Sequence, residues 1–218
     1  MKRFVIVGLG NFGSSVAETL HAQGFDVVAV DTDARAVDRV APHVTRAAVG
    51  DGRQAETLRR LGAEDADAGV VSTGGDITAS LLATLALRDL GVEHVYAKVI
   101  SHDHARVMER MGVKEVVFPE REAALNLGKR LAAQSVFNYV SIGAGFSMQE
   151  MAAPPSWQGK TLRELDLPRE HRVSIIAVHD RHHDQMYVPP SPDAPLRPSD
   201  TLLVAGADDE LDRLSKLR

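Results

Sequence analysis

Gly8, Gly10 and Gly13 stand in the string GLGNFG, after the β-branched run RFVIV and before an amphipathic stretch. Glycines at this spacing allow a tight turn at Gly8, a bare backbone against a pyrophosphate at Gly10, and close seating of a helix on a strand at Gly13. Asn11 and Phe12, between the last two, open that helix, whose free N–H groups and partial positive charge favour an anion. The next apolar run ends in VVAVDTD. Asp31, with Thr32 and Asp33 behind it, falls where a carboxylate accepts from ribose hydroxyls. Two carboxylates there would repel a 2′-phosphate, which disfavours an NADP-type ligand.

Later strings extend the same surface. VGDG puts Asp51 and Gly52 after a third apolar run, on the adenine side, and VSTGGD puts Thr73 and Gly74 after a fourth. Each of these also reads as an ordinary loop or helix cap. Lys98, in YAKV, lies inside a strand-like run, where an unpaired ammonium is costly, so a phosphate or carboxylate partner is expected. Glu120 follows Pro119 and reads as a first-turn helix carboxylate favoured by the helix dipole.

Other strings look chemical and have a plainer reading. HDRHHD gathers His179, His182 and His183 with Asp180 and Asp184, a set that zinc or nickel takes, yet its flanks read as a hairpin with a solvated polar turn. SHDH reads as a helix N-cap at Ser101, and Met108 and Met111 as core or interface filler. The chain of 218 residues has no cysteine, which excludes disulfides and thiolate chemistry. A net charge of −5 without a basic block argues against a nucleic-acid partner. With the first strand starting at Arg3 and no apolar run of membrane length, the expected location is the cytoplasm.

These residues need a scaffold, and the apolar pattern supplies one. Six short apolar runs, RFVIV, DVVAV, HVTRAAV, AGVVS, HVYAKV and EVVF, each precede a helical period. Continuous rather than alternating runs imply strands covered on both faces. The expected fold is α/β: a doubly wound, Rossmann-like parallel sheet of order 3-2-1-4-5-6, with ligands outside the carboxyl ends of the strands. A helix over 120–135 follows, and then the texture changes to short strands, proline-rich connections and two further helices, TLRELDL and DELDRLSKL, a small α+β domain. The domains expected are 1–136 and 137–218. The stretch 77–90 carries more apolar surface than one sheet face covers, which predicts a second packing partner, most simply another subunit.

Taken in order, FVIVGLGNFG, VVAVDTD, VGDG, VVSTGGD, VYAKV and FPE, with the small domain after them, resemble the RCK family of regulators of potassium channels and transporters, nearest to its TrkA/KtrA type. The resemblance implies ATP and ADP, or NAD and NADH, in the crevice of the first domain. It implies that Gly8, Gly10 and Gly13 hold phosphates, Asp31 and Asp33 the ribose, Asp51 the adenine side, and Lys98 and Glu120 the phosphate end. Glu120 is the position where some members bind a divalent cation, Mg²⁺ or Ca²⁺. It further implies dimers assembled into a ring, often an octamer, under a membrane pore subunit of the TrkH or KtrB kind. At Asn11 the chain departs from KtrA-like members, which often carry an arginine there.

Two functions are compatible with these strings, a non-catalytic nucleotide-binding regulatory subunit and an NAD-dependent oxidoreductase. The second needs an acid or base presented to the reacting carbon. Apart from HDRHHD the C-terminal region offers no such constellation, which favours the regulator.

Overall fold

The computed structural model describes residues 1–132 and 135–217, and packing divides the chain into two units, Met1–Glu120 and Arg121–Arg218. Ala133 and Gln134, part of the expected 120–135 helix, lie outside the described residues.

The first unit alternates strand and helix: β1 (Arg3–Val7), α1 (Asn11–Ala22), β2 (Asp26–Asp31), α2 (Ala34–Val40), β3 (Arg46–Val49), α3 (Ala55–Arg60), β4 (Ala68–Val71), α4 (Ile77–Asp89), β5 (His94–Lys98), α5 (His102–Arg110) and β6 (Glu115–Val117). Its strands form one six-stranded parallel sheet of order β3-β2-β1-β4-β5-β6, as the apolar runs predict. Successive residues of β1 enter different cores. Val5 and Val7 pack with Val28, Val30, Leu58 and Leu87, whereas Ile6 packs with Val27, Ala29, Ala17 and Val37. A strand that feeds a core on each face has no place for alternating polar residues, which explains the unbroken β-branched runs.

The helix starts differ in kind. Asp33 accepts from Arg35 N at the start of α2, Asp76 from Ala79 N at α4, and Ser101 from His104 N at α5. Each satisfies one of the orphan N–H groups of a helix end. By contrast α1 begins at Gly10 and α3 at Gln54 with no side-chain cap. The expected Ser101 cap is present, Met108 is buried, and burial pushes the titration of His104 below the usual histidine range, with Nε2 at 3.2 Å from Ser80 Oγ. On α4, Leu82 and Leu85 remain 42% and 46% exposed, the apolar surplus expected there.

In the second unit, α6 (Pro119–Ala132, which enters from the first unit) is followed by β7 (Val136–Gly143), β8 (Phe146–Ala152), the short helices α7 (Leu162–Leu165) and α8 (Leu167–Glu170), β9 (Val173–Asp180), β10 (Gln185–Tyr187), β11 (Asp200–Ala207) and α9 (Asp208–Leu214). The strands form an antiparallel sheet of order β10-β9-β11-β8-β7. On β8, Ser147, Gln149 and Met151 are buried and their neighbours are not, the period of two expected of a sheet with one covered face. Trp157, Leu167, Leu202, Leu211 and Leu214 lie in its core. Asn126 of α6 donates to the Tyr139 carbonyl, and Lys129 lies 4.3 Å above the Tyr139 ring and 3.6 Å from Asp212, so α6 is tied to β7 and α9. The segment TLRELDL, expected as one helix, is broken at Asp166, which sits at φ +38° between α7 and α8. Left-handed backbone stops a helix after one turn. Among the described residues no helix is long and apolar enough to cross a membrane.

Candidate functional site

In a parallel sheet every strand ends at the same edge, so the residues singled out from the sequence all fall at the carboxyl edge of the first unit's sheet: Gly8 after β1, Asp31 at the end of β2, Asp51 after β3, Thr73 after β4, Lys98 at the end of β5 and Glu120 after β6. The three glycines there do different work. Gly8 has φ +95°, and a Cβ on it would lie 2.2 Å from the Ser72 carbonyl oxygen. A Cβ on Gly13 would lie 1.9 Å from the Gly8 carbonyl oxygen. Both are closures of packing. At Gly10 a Cβ would meet nothing within 4 Å, so the missing side chain leaves open space in front of the helix end. Among the described residues the N–H groups of Gly10, Asn11, Phe12 and Gly13 have no acceptor. Four free donors, a helix dipole and an approach that a side chain would fill fit a phosphate.

Asp31 joins this turn directly. Its Oδ2 accepts from Leu9 N at 2.6 Å and its Oδ1 from Asp33 N at 2.8 Å. Each carboxylate oxygen has a second lone pair, so the group both fixes the glycine turn and remains able to accept from a sugar hydroxyl. Asp33 is engaged as the cap of α2, and Thr32 between them is exposed.

Farther along the edge, Asp51 is gripped by Arg53, with Nη2 at 2.8 Å from Oδ2 and Nε at 2.8 Å from Oδ1. The Arg53 guanidinium, helped by its own backbone N–H and by Gln54, holds the Asp51 carboxyl at about 2. A Cβ on Gly52 would lie 2.3 Å from Val7 Cγ1, so that glycine serves close packing under β1. Thr73 Oγ1 donates to the Asp76 carbonyl at 3.2 Å, and Gly74 turns with φ +64°. Lys98 has the carboxylate partner its position demands: Nζ is 2.5 Å from Glu120 Oε1. That bond keeps the Glu120 carboxyl below its usual range. Lys98 is mostly buried and Glu120 is 60% exposed, so the pair has one dry and one wet end.

Sequence reasoning passed over Ser14, Arg39 and Arg53. Arg53 had a visible signal, an arginine two residues after an expected binding acid. Arg39 had none, because its approach to Leu9 across 30 positions depends on how α2 lies beside the glycine turn.

The histidine-rich string of the second unit is a turn, as expected. Asp180 Oδ1 accepts from the N–H groups of His182 and His183, while Oδ2 receives His183 Nδ1 at 2.8 Å and Arg197 Nη1 at 2.7 Å. His183 first, then the two backbone N–H groups, hold the Asp180 carboxyl at about 2. His179 is shared between Glu150 at 3.6 Å and Asp184 at 3.2 Å. Among the described residues no cluster of three or more His, Asp or Glu side chains is arranged to hold a metal ion.

A doubly wound parallel sheet with an uncapped glycine-opened helix, followed by a small antiparallel α+β unit, defines a two-part protein of the dinucleotide-fold class. Residues 4–119 match the TrkA-N domain and residues 150–218 match the TrkA-C domain, and the chain belongs to the family built of these two domains. It is 30% identical over 215 residues to Ktr system potassium uptake protein C of Bacillus subtilis, covering 99% of this chain and 96% of that one. A structure of the GsuK channel bound to NAD is similar with a TM-score of 0.55 at 22% identity, across 97% of this chain, which spans only 37% of the channel chain. The C-terminal domain of Shewanella denitrificans Kef in its AMP-bound form is similar across 60% of this chain and 80% of that one, with a TM-score of 0.53 and 26% identity.

Proposed function

We propose that this chain is a non-catalytic regulatory subunit of a potassium uptake system, switched by an adenine nucleotide, ATP or ADP or NAD(H), at the carboxyl edge of its parallel sheet. The observation that carries the reading is the α1 end: free N–H groups over the open side of Gly10, with Asp31 bonded to the adjoining residue. In this reading the N–H groups of Gly10 to Gly13 take the phosphates, Asp31 accepts from the ribose, and the loops holding Asp51, Gly52, Thr73 and Gly74 border the rest of the ligand. Lys98 and Glu120 lie toward the terminal phosphates, where Lys98 attracts the anion and Glu120 offers oxygens of the kind Mg²⁺ or Ca²⁺ takes. The AMP and NAD named with the Kef and GsuK structures support the ligand class, and the Ktr relative supports the system.

The partner proposed is a membrane pore subunit of the TrkH or KtrB kind, which would place the chain at the inner membrane face. The exposed Leu82 and Leu85 of α4 support assembly with further copies, in a dimer-based ring of octamer size. The functional division proposed is 1–136 for the nucleotide and 137–218 for the second domain.

Nucleotides released from the purified protein and identified by mass spectrometry test the ligand class. Asp31→Ala is expected to weaken ADP or NAD binding about tenfold by calorimetry, the effect of one charge-assisted hydrogen bond. Unchanged affinity removes the ribose contact. Sustained oxidation of NADH with simple carbonyl compounds would replace the regulator by an oxidoreductase.

A further inference from the structure

Two side chains, Ser14 and Arg39, hold the peptide that joins Leu9 to Gly10, and Asp31 holds the peptide before it. Leu9 N–H donates to Asp31 Oδ2 at 2.6 Å, and the Leu9 carbonyl accepts from Ser14 Oγ at 2.9 Å and from Arg39 Nη2 at 3.5 Å. A trans peptide is planar, so its carbonyl and the N–H that follows point in opposite directions. Drawing the Leu9 oxygen toward Ser14 and Arg39 therefore turns the Gly10 N–H to the other side. That N–H has no acceptor among the described residues, and Gly10 borders open space.

Arg39 also differs from the other cations of this edge. Lys98 is bound to Glu120 and Arg53 to Asp51, whereas Arg39, like Arg35 at the start of α2, has no carboxylate partner among the described residues; of these two, Arg39 is the one whose guanidinium bonds the Leu9 carbonyl. The first turn of α1, Asn11 to Ser14, contains no basic side chain of its own. A guanidinium at the carbonyl end of a peptide and an anion at its N–H end polarise it in the same sense, and each strengthens the other.

We propose that Ser14 and Arg39 are positioning residues that aim the Gly10 N–H at a ligand phosphate, with Arg39, reaching across from α2, supplying the positive charge that α1 lacks. This makes the site selective for phosphorylated adenosine over adenosine itself. It rests on the nucleotide reading above and adds to it a role for two residues outside the glycine string.

The test is calorimetry of the full-length protein with adenosine, AMP and ADP, for wild type, Arg39→Gln, Arg39→Lys and Ser14→Ala, with a thermal melt of each. Arg39→Gln and Ser14→Ala are each expected to weaken ADP about three- to tenfold and leave adenosine unchanged, the size of one hydrogen bond to a charged group. Arg39→Lys keeps the charge and recovers part of the loss, and it reports on the proposal even where Arg39→Gln folds poorly. Equal ADP affinity in all variants overturns the proposal, as does an equal loss for adenosine and ADP, which marks a merely structural role. Wild-type protein that binds none of the three, nor ATP, NAD or NADH in the same assay, overturns the nucleotide reading itself, a result distinct from both.

Discussion

The two units use their polar residues in opposite ways. In the second unit carboxylates are committed to the fold: Glu150 to Asn138 and Thr201, Asp208 to Ser147, and Asp180 to a histidine, an arginine and two backbone N–H groups. The first unit keeps donors in reserve at its sheet edge, where α1 and α3 have no side-chain cap while α2, α4 and α5 are capped, and α1 opens on a glycine with space in front of it. A parallel sheet delivers all its loops to one edge, and a glycine-opened helix end left unsatisfied there creates a place for an anion. An antiparallel sheet with a covered face and hairpin turns closes on itself, and the carboxylates named above pair within it, although the buried Asp200 Oδ1 has no partner among the described residues.

The sharpest way to break this contrast lies in the glycines. Gly8→Ala would place a Cβ 2.2 Å from a carbonyl oxygen at a left-handed φ of +95°. Strain and overpacking together are expected to cost the first unit about 2–5 kcal/mol, read as an early melting step that leaves the second unit's transition in place. Gly10→Ala meets nothing within 4 Å and has φ −68°, so stability should change by less than about 1 kcal/mol while ADP affinity falls at least about tenfold, because the new methyl occupies the phosphate approach. If both substitutions only unfold the protein, the open space before α1 is not a binding surface.

How far the sequence could be read follows from the same physics. Strands buried on both faces must be written in unbroken β-branched residues, and the parallel order was therefore legible in RFVIV, DVVAV and AGVV. GLGNFG was legible as a turn because backbone geometry alone demands glycine at Gly8 and Gly13. Asp33 was ambiguous in principle, since an acid just before a helix serves as a cap and as a sugar acceptor alike, and the structure has it capping α2. The break at Asp166 was not legible, because TLRELDL is good helix sequence and a single left-handed residue interrupts it. Arg39 was hidden for a different reason: its contact is set by the packing of two helices and leaves no local spacing to find.

A pH titration extends the comparison at smaller cost. Both units contain a carboxyl held at about 2, Asp51 and Asp180. Asp51 is paired with Arg53 two residues away, a contact that a partly unfolded chain keeps, whereas Asp180 is a buried carboxylate held chiefly by His183 and two backbone N–H groups of a folded turn, and it also accepts from Arg197 across 17 positions. A folded-state value below the unfolded one, near 3.9, means that the contribution is complete above about pH 4 and is lost as pH falls toward 2. The second unit's melting temperature is expected to drop through that window, and Asp180→Asn to flatten the drop. Asp51→Asn should leave the acid profile of the first unit nearly unchanged. Equal flattening by both would mean that the exposed Asp51–Arg53 pair is as dependent on the fold as the buried turn carboxylate.

The smallest effect is expected where the two kinds of use meet, at Lys98 and Glu120. Glu120 is well exposed, so its bond to Lys98 is screened by water and Glu120→Gln should change stability by less than about 1 kcal/mol, all the more so because the amide oxygen still accepts from the ammonium. Its sign with pH follows from the lowered Glu120 carboxyl: the bond contributes above the ordinary glutamate range and is lost as pH falls through it. Binding is where the substitution should register. A triphosphate near Glu120 is repelled by the carboxylate unless a divalent cation lies between them, so wild-type ATP affinity should fall on adding EDTA and return with Mg²⁺ or Ca²⁺. ADP should respond less, and Glu120→Gln should bind ATP with little regard to the metal. A variant that keeps the full metal dependence would return Glu120 to the plain role of a helix-start carboxylate paired with a lysine, and would place it with the committed carboxylates of the second unit.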